Sequence, residues 1–337
     1  MTSFRIFVVA ALCIALVGGV LLWRLQDHDL DRRTSEWFFF SANDAQLSGT
    51  LWLPDTPPIA AVVLVHGDGP QDRSSAGGYA PMINLLLDRG IAVASWDKPG
   101  IGQSQGSWLD QSMQDRAVET RAALAKLSDQ TGLPAGAIGF SQAGWVLPRL
   151  TREDAAFLVL VGAAVSWRNQ GDYYTRTRLE LEGVAPAQIN EFIAASNIRD
   201  DQTFAPDARF IPNKGPGGMT KQRWAFVQRN RAADATPLLP ALKQPVLALW
   251  GAQDLNVDPL ANAQIYRAKL AVNNAANQIL VVPNATHGLL KSGPYNTQLT
   301  SDWSPVTVGR FAIEGRHAFA PGALEKIARW IEGLTLP

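Results

Sequence analysis

Ala137-Ile138-Gly139-Phe140-Ser141-Gln142-Ala143-Gly144-Trp145-Val146-Leu147 is the stretch whose reading decides the fold. A short apolar run enters one serine between small residues and a helix-compatible segment leaves it, so the chain turns sharply and presents Ser141 at the apex. Gly139, two positions before the serine, and Ala143, two after, let the backbone approach itself, which approximates the G-x-S-x-G display of a nucleophile. Ala143 stands where that pattern has its final glycine, and a glycine follows only at Gly144. A serine between small residues also fits a plain polar loop, so its weight depends on the rest of the chain.

Outward from this turn the chain alternates. Upstream, Ala60–Val65 and Ile91–Trp96 are continuous apolar runs, as expected for strands buried on both faces of a parallel sheet. The first ends in His66-Gly67-Asp68-Gly69-Pro70, a loop, and the second runs into Asp97 and the turn-rich Pro99-Gly100-Ile101-Gly102. Residues 79–89 predict a helix with Ile83, Leu86 and Leu87 inward, stopped by Gly90; residues 113–127 predict a longer one with Val118, Leu124 and Leu127 on one face. Residues 137–140 are the strand before Ser141, 142–150 the helix after it, and 157–161 the next strand. Farther on, 246–250, Pro259–Leu270 and Gln278–Val282 read strand, helix, strand, and 321–331 is an amphipathic helix. At the start, 36–41 and 47–53 flank Asn43-Asp44-Ala45, the chemistry of a hairpin. Repeated β-then-α units predict an α/β fold with a mainly parallel sheet and helices on both faces, which binds ligands at the carboxyl ends of its strands.

The rhythm breaks between residues 162 and 245, where about 80 residues carry no strand-like run. Pro186 fits a helix start with Ile189, Phe192 and Ile193 as an apolar face, 220–233 offers Trp224 and Val227, and Lys214-Gly215-Pro216-Gly217-Gly218 is a flexible joint. An insertion from the ligand-binding edge is expected to be a cap, at about residues 165–243; a helical decoration away from the site is the alternative. Residues 291–316 give no assignment.

The chain has 337 residues, with 30 Lys+Arg balancing 30 Asp+Glu, so no electrostatic footprint for nucleic acid exists. Its 47% hydrophobic residues suffice for a substantial core. The single cysteine, Cys13, lies in the leader, which excludes disulfides, a Cys-ligated metal and a cysteine nucleophile from the rest. Residues 6–23 are uncharged and almost wholly apolar between Arg5 and Arg24, long enough to span a hydrocarbon core. The expected organisation is therefore a signal anchor with its juxtamembrane segment over residues 1–33, and a catalytic domain over 34–337. Arg5 favours an inside N-terminus and Arg24, Arg32 and Arg33 the reverse; the short leader decides for inside, with the catalytic domain exported, periplasmic or extracellular. Secretion after signal cleavage is the alternative.

A serine hydroxyl needs a base to take its proton, and the base needs a third group to orient it. Four histidines compete. His28 lies near the leader, and His66 directly follows a strand before Gly67, where it shapes the loop. His287, in Pro283-Asn284-Ala285-Thr286-His287-Gly288 after the last strand, is the leading base, with His317 the runner-up. Gly251-Ala252-Gln253-Asp254-Leu255-Asn256-Val257-Asp258-Pro259 offers two acids after a strand. Asp258 before Pro259 reads as a helix cap, so Asp254 takes the orienting role. The oxyanion needs amides from the residue after the nucleophile and from the loop after the third strand; here these are Gln142 and Asp68, with Gly67 able to replace Asp68.

The order Ser141, Asp254, His287 is that of α/β-hydrolases, and the chain resembles that superfamily from about Trp37 onward. His66-Gly67-Asp68-Gly69-Pro70-Gln71-Asp72-Arg73 is similar to the H-G-x-G-P-Q-D-R loop of a bacterial esterase and serine aminopeptidase-like subgroup. Asp97-Lys98-Pro99-Gly100-Ile101-Gly102-Gln103-Ser104 is similar to its D-[KR]-[RP]-G-x-G-x-S loop. The resemblance implies hydrolysis of carboxylic esters on a small-molecule acyl substrate, with no metal or cofactor. Small amides, thioesters or acyl transfer are the enzymatic alternatives, and a catalytically silent binding protein the non-enzymatic one. Trp167, Tyr173, Tyr174, Trp224 and Phe226 are available in the insertion to line a pocket or, more simply, a core; no substrate-binding residue is assigned.

Overall fold

The apolar runs become the strands of one sheet. The computed structural model describes residues 18–20, 24–212, 218–270 and 274–335. Its strands are β1 (Thr34–Ala42), β2 (Ala45–Leu53), β3 (Ala60–Val65), β4 (Ile91–Trp96), β5 (Ala135–Phe140), β6 (Leu158–Val161), β7 (Val246–Gly251) and β8 (Gln278–Val282). They form an eight-stranded sheet ordered β1-β2-β4-β3-β5-β6-β7-β8. The β1–β2 and β2–β4 pairs are antiparallel and the rest parallel. The leading hairpin turns through Asn43 and Asp44 at φ 49° and 58°, the left-handed backbone that tight hairpins need and short polar side chains tolerate.

Helices α1 (Ala80–Asp88), α2 (Met113–Thr131), α3 (Trp167–Leu181), α4 (Pro186–Thr203), α5 (Lys221–Asn230), α6 (Pro259–Leu270), α7 (Ser292–Tyr295), α8 (Pro305–Glu314) and α9 (Ala323–Glu332) complete the frame. Successive strand residues face opposite sides. Val63, Val65 and Ala94 pack with Ala117 and Leu124 of α2 and Tyr266 of α6. Val62, Leu64 and Val93 pack with Ile83 of α1 and Leu324 and Ile327 of α9. β3 and β4 are buried along their whole length, and each fully buried valine or leucine contributes about 1.5–3 kcal/mol.

Two local readings change. Val118 is exposed, and α2 buries Met113, Ala117, Thr120, Leu124 and Leu127 instead, a stripe spaced three and four residues apart. No continuous helix follows Ser141; two short 3₁₀ helices, Ser141–Trp145 and Leu147–Arg149, take its place, because Pro148 has no N–H to continue one. Residues 291–316 hold α7 and α8, joined by the ring contacts of Tyr295, Trp303 and Phe311.

The expected membrane anchor is corrected. No helix among the described residues is long and apolar enough to cross a membrane, which removes the support for a membrane partner and for an anchored, exported catalytic domain. Of residues 6–23, only 18–20 are described, and Cys13 lies outside the described residues. The segment just after is bound to the body of the fold. The Asp27 carboxylate accepts from the Arg316 amide (3.0 Å) and Nε (2.7 Å). Buried Arg33 donates from Nε to Asn84 Oδ1 (2.7 Å) and pairs with Asp88.

Between β6 and β7 the chain makes α3, α4 and α5 and returns to where it left. Ser166 and Asp234 form an antiparallel bridge, with Trp167 N–H donating to Ala233 O (2.9 Å) and Ala235 N–H to Val165 O (2.8 Å). Ile189 and Ile193 of α4 are buried while Phe192 is exposed. Of the joint Lys214–Gly218, only Gly218 falls within the described residues.

Candidate active site

The strand order places the site before any side chain is considered. From β3 the chain steps one way to β4 and later crosses to β5 on the other side of β3. Loops after β3 and β5 therefore diverge, leaving the crevice where open parallel sheets bind ligands.

Ser141 leaves β5 at φ 50°, the left-handed region that a residue with a Cβ enters only when its surroundings hold it there. The turn is tight: a Cβ on Gly139 would lie 2.7 Å from both Ala143 Cβ and Leu147 Cδ1. The methyl of Ala143 is thus accommodated by the absence of one at Gly139, which accounts for the departure from G-x-S-x-G. Ser141 is half-buried, and its hydroxyl has no hydrogen-bond partner among the described residues, as is common before substrate tightens a site.

After β7, Asp254 is buried, and its Oδ1 accepts the amides of Asn256 (2.7 Å) and Val257 (2.9 Å). Its Oδ2 accepts from His287 Nδ1 at 2.8 Å. This bond leaves Nε2 as the free ring nitrogen, the one a general base uses. Burial opposes a charged imidazole, but Asp254, by charge and hydrogen bond, outweighs it and raises the His287 pKa above its ordinary value. Asp258 accepts the amides of Leu260 and Ala261, both at 3.0 Å, and caps α6. His317 is exposed in a 3₁₀ turn. His66 is buried against Trp96 O (2.6 Å from Nε2) and stacked on Tyr79. Burial foremost, then Lys98, drives its pKa down to about 3, so it is a neutral strut.

The loop after β3 lies against the serine. A Cβ on Gly67 would sit 3.4 Å from Ser141 Cβ. Two buried basic side chains hold this loop. Lys98 Nζ donates to Gly67 O (2.5 Å) and Gly69 O (2.9 Å), and Arg116 Nη2 donates to His66 O (2.7 Å). In a planar trans peptide the N–H opposes the C=O, so these bonds turn the amides of Asp68 and Gly67 away from the two donors. Gln142 stands second in its 3₁₀ helix, where an amide has no partner within the helix. The side chains of Asp68 and Gln142 also meet, Nε2 to Oδ1, at 2.9 Å.

Several contributors carry no signal in the sequence alone. A Cβ on Gly162, at the end of β6, would lie 2.8 Å from His287 Nδ1 and Cε1, so a glycine there makes room for the imidazole. Tyr173 Oη of α3 donates to Asp254 O (2.8 Å), and Arg223 of α5 pairs with Asp68. The insertion therefore touches the loops after β7 and β3. Arg73 and Asp97, in the two loops that carry the resemblance, form an ion pair (2.6 Å) that ties those loops together. No cluster of metal-ligating side chains occurs among the described residues.

Solved structures share this architecture. An esterase from Pyrococcus furiosus, Pf2001, aligns with a TM-score of 0.57 at 15% identity, covering 89% of this chain and 91% of that one. Est1E from Butyrivibrio proteoclasticus, solved with ferulic acid bound, aligns with a TM-score of 0.51 at 14% identity, covering 87% and 96%. At such identities the likeness is one of fold. No curated protein matches the chain. The profile of the family described as serine aminopeptidase, S33, matches residues 56–292, more than two thirds of the chain, and the chain belongs to that family of α/β-hydrolases.

Proposed function

We propose that the protein is a serine hydrolase that cleaves carboxylic esters through an acyl-enzyme on Ser141. Ser141 Oγ attacks the acyl carbonyl while His287 Nε2 takes its proton, and Asp254 holds the imidazole and stabilises the imidazolium that forms. The amides of Gln142 and Asp68 receive the oxyanion. Collapse of the tetrahedral intermediate passes the proton from His287 to the leaving alcohol, and water then repeats the sequence to release the acid. The insertion acts as a cap over this edge, supported by its contacts to Asp254 and Asp68.

The observation that carries the reading is the 2.8 Å bond between His287 and Asp254, on the sheet edge where the chain turns through Ser141 at φ 50°. Amide cleavage at a free amino terminus is the second reading, favoured by the family's description. Such a substrate needs an unengaged carboxylate for its ammonium. Asp254 is committed to His287 and two amides, and Asp68 to Arg223 and Gln142, which favours the ester. Ser141→Ala is expected to lower turnover of p-nitrophenyl acyl esters by roughly 10⁴–10⁶-fold. Near-normal hydrolysis by that variant would sink the assignment, and faster cleavage of aminoacyl amides by the unaltered protein would favour the second reading.

A further inference from the structure

The two residues given the oxyanion role are bonded to each other and, through one carboxylate, to the insertion. Arg223 of α5 makes a fork-to-fork pair with Asp68, Nη1 to Oδ1 at 3.1 Å and Nη2 to Oδ2 at 2.8 Å. Asp68 Oδ1 also accepts from Gln142 Nε2, and Gln142 Oε1 accepts from Arg116 Nη1 (2.6 Å), whose Nη2 holds His66 O. The run Arg223, Asp68, Gln142, Arg116, His66 thus crosses from the insertion through both amide-bearing residues. The Arg223 guanidinium is steadied by the rings of Trp108 and Phe226, whose centroids lie 5.7 and 5.0 Å away.

This arrangement answers a physical difficulty. A carboxylate on a residue whose amide faces the oxyanion places negative charge where more negative charge develops, and repulsion raises the barrier. A neutralised carboxylate removes that penalty while keeping its hydrogen bond to Gln142. Burial opposes the Asp68 carboxylate, yet Arg223 outweighs it and holds the pKa below its usual value, so at neutral pH the pair is ionic.

We propose that Arg223 is a positioning residue for acyl transfer: it cancels the Asp68 charge and, through Asp68 and Gln142, sets the two oxyanion donors only while the insertion is seated. This rests on the ester-hydrolase reading given above. The oxyanion site is assembled across the insertion rather than completed within the sheet edge.

The test is a charge cycle on the full chain. Arg223→Ala is expected to lower kcat for a p-nitrophenyl ester by about tenfold to a hundredfold, less than the roughly 10²–10³-fold that outright loss of an oxyanion donor costs, with KM little changed and the melting temperature retained. Adding Asp68→Asn to that variant removes the unbalanced charge but keeps the amide and the bond to Gln142, and is expected to restore most of kcat. Arg223→Lys falls between. A purely structural arginine would not be rescued at Asp68. Unaltered kcat in Arg223→Ala overturns the proposal, as does failure of Asp68→Asn to restore activity in a protein that still melts normally. If Arg223→Ala does not fold, Arg223→Gln, which keeps the ring contacts, is measured in its place under the same criteria. The rate of fluorophosphonate labelling of Ser141, which also develops charge at the oxyanion site, is followed in parallel. It reads the same cycle without an ester. A labelled protein that leaves esters intact would therefore fail the substrate reading while the labelling rates still decide the role of Arg223; a protein that does not label overturns both.

Discussion

His287 sits between two opposed influences, and in the proposed mechanism their balance sets the working pH. Burial lowers its pKa and Asp254 raises it by more, so it titrates above the ordinary 6.5. In the proposed mechanism the base is the neutral imidazole, so kcat/KM is expected to fall as pH drops through a value above 6.5. In Asp254→Asn the raising influence is gone and burial remains. The acid limb of the pH–rate profile moves to lower pH, and kcat falls by roughly 10⁴-fold as the imidazole loses its orientation. An unmoved limb would detach Asp254 from the base. The meeting of Asp254 and His287 is legible in the sequence because each follows an apolar run by a few residues, and parallel strands deliver such loops to one edge. Gly162 is not legible: its need for a bare Cα arises from a histidine more than a hundred residues away.

At the scale of elements, short loops are held by groups that a sequence reading places at the surface. Lys98 and Arg116 are buried, whereas lysine and arginine are ordinarily exposed, so neither their burial nor their service to the loop after β3 is legible from residue type. In Lys98→Met the carbonyls of Gly67 and Gly69 lose their donor. Leaving a buried carbonyl unpaired costs about 1–3 kcal/mol, and the loop no longer has its peptide planes fixed. Denaturant unfolding is expected to show that loss, with a fall in kcat larger than any change in KM; a variant stable and fully active would remove Lys98 from this role. Strands β3, β4, β6 and β7 are legible almost to the residue, since a run buried on both faces has no polar position to blur it. The segment after Ser141 is the exception. Its composition allows a helix, and the competing demands of the serine turn and Pro148 break it into 3₁₀ pieces.

For the whole molecule, the sheet order follows from the β-then-α rhythm, while the leading hairpin precedes the family match at residue 56 and extends the sheet by two antiparallel strands. The apolar leader was legible only as composition, and the described residues contain no membrane-crossing helix. The structure instead shows residues just before β1 fastened to α1 and to the turn before α9. The Arg33 side chain is only 4% exposed between Asn84 and Asp88. Arg33→Ala removes the donor to buried Asn84 and one of the two cations on Asp88, Arg316 keeping the other at 2.8 Å, and is expected to cost about 1–3 kcal/mol in chemical unfolding, with kcat unchanged because the site lies elsewhere. A loss below about 0.5 kcal/mol, the range of an ordinary surface substitution, would mean the contact does not hold the segment. A different consequence follows from the way the insertion begins and ends. Ser166 and Asp234 face each other across one bridge, so the chain leaves and rejoins the sheet at one doorway, while Phe226 in the main core and Asn230, which accepts from Met113 N–H (3.0 Å), tie the interval down beyond it. Closing a longer or shorter excursion there costs little more than closing this one. A change of length within it that spares Phe226 and Asn230 is therefore expected to leave the strand register and the turn at Ser141 as they are. Such a change must also keep the side chains that reach the loops after β3 and β7, Arg223 to Asp68 and Tyr173 to Asp254.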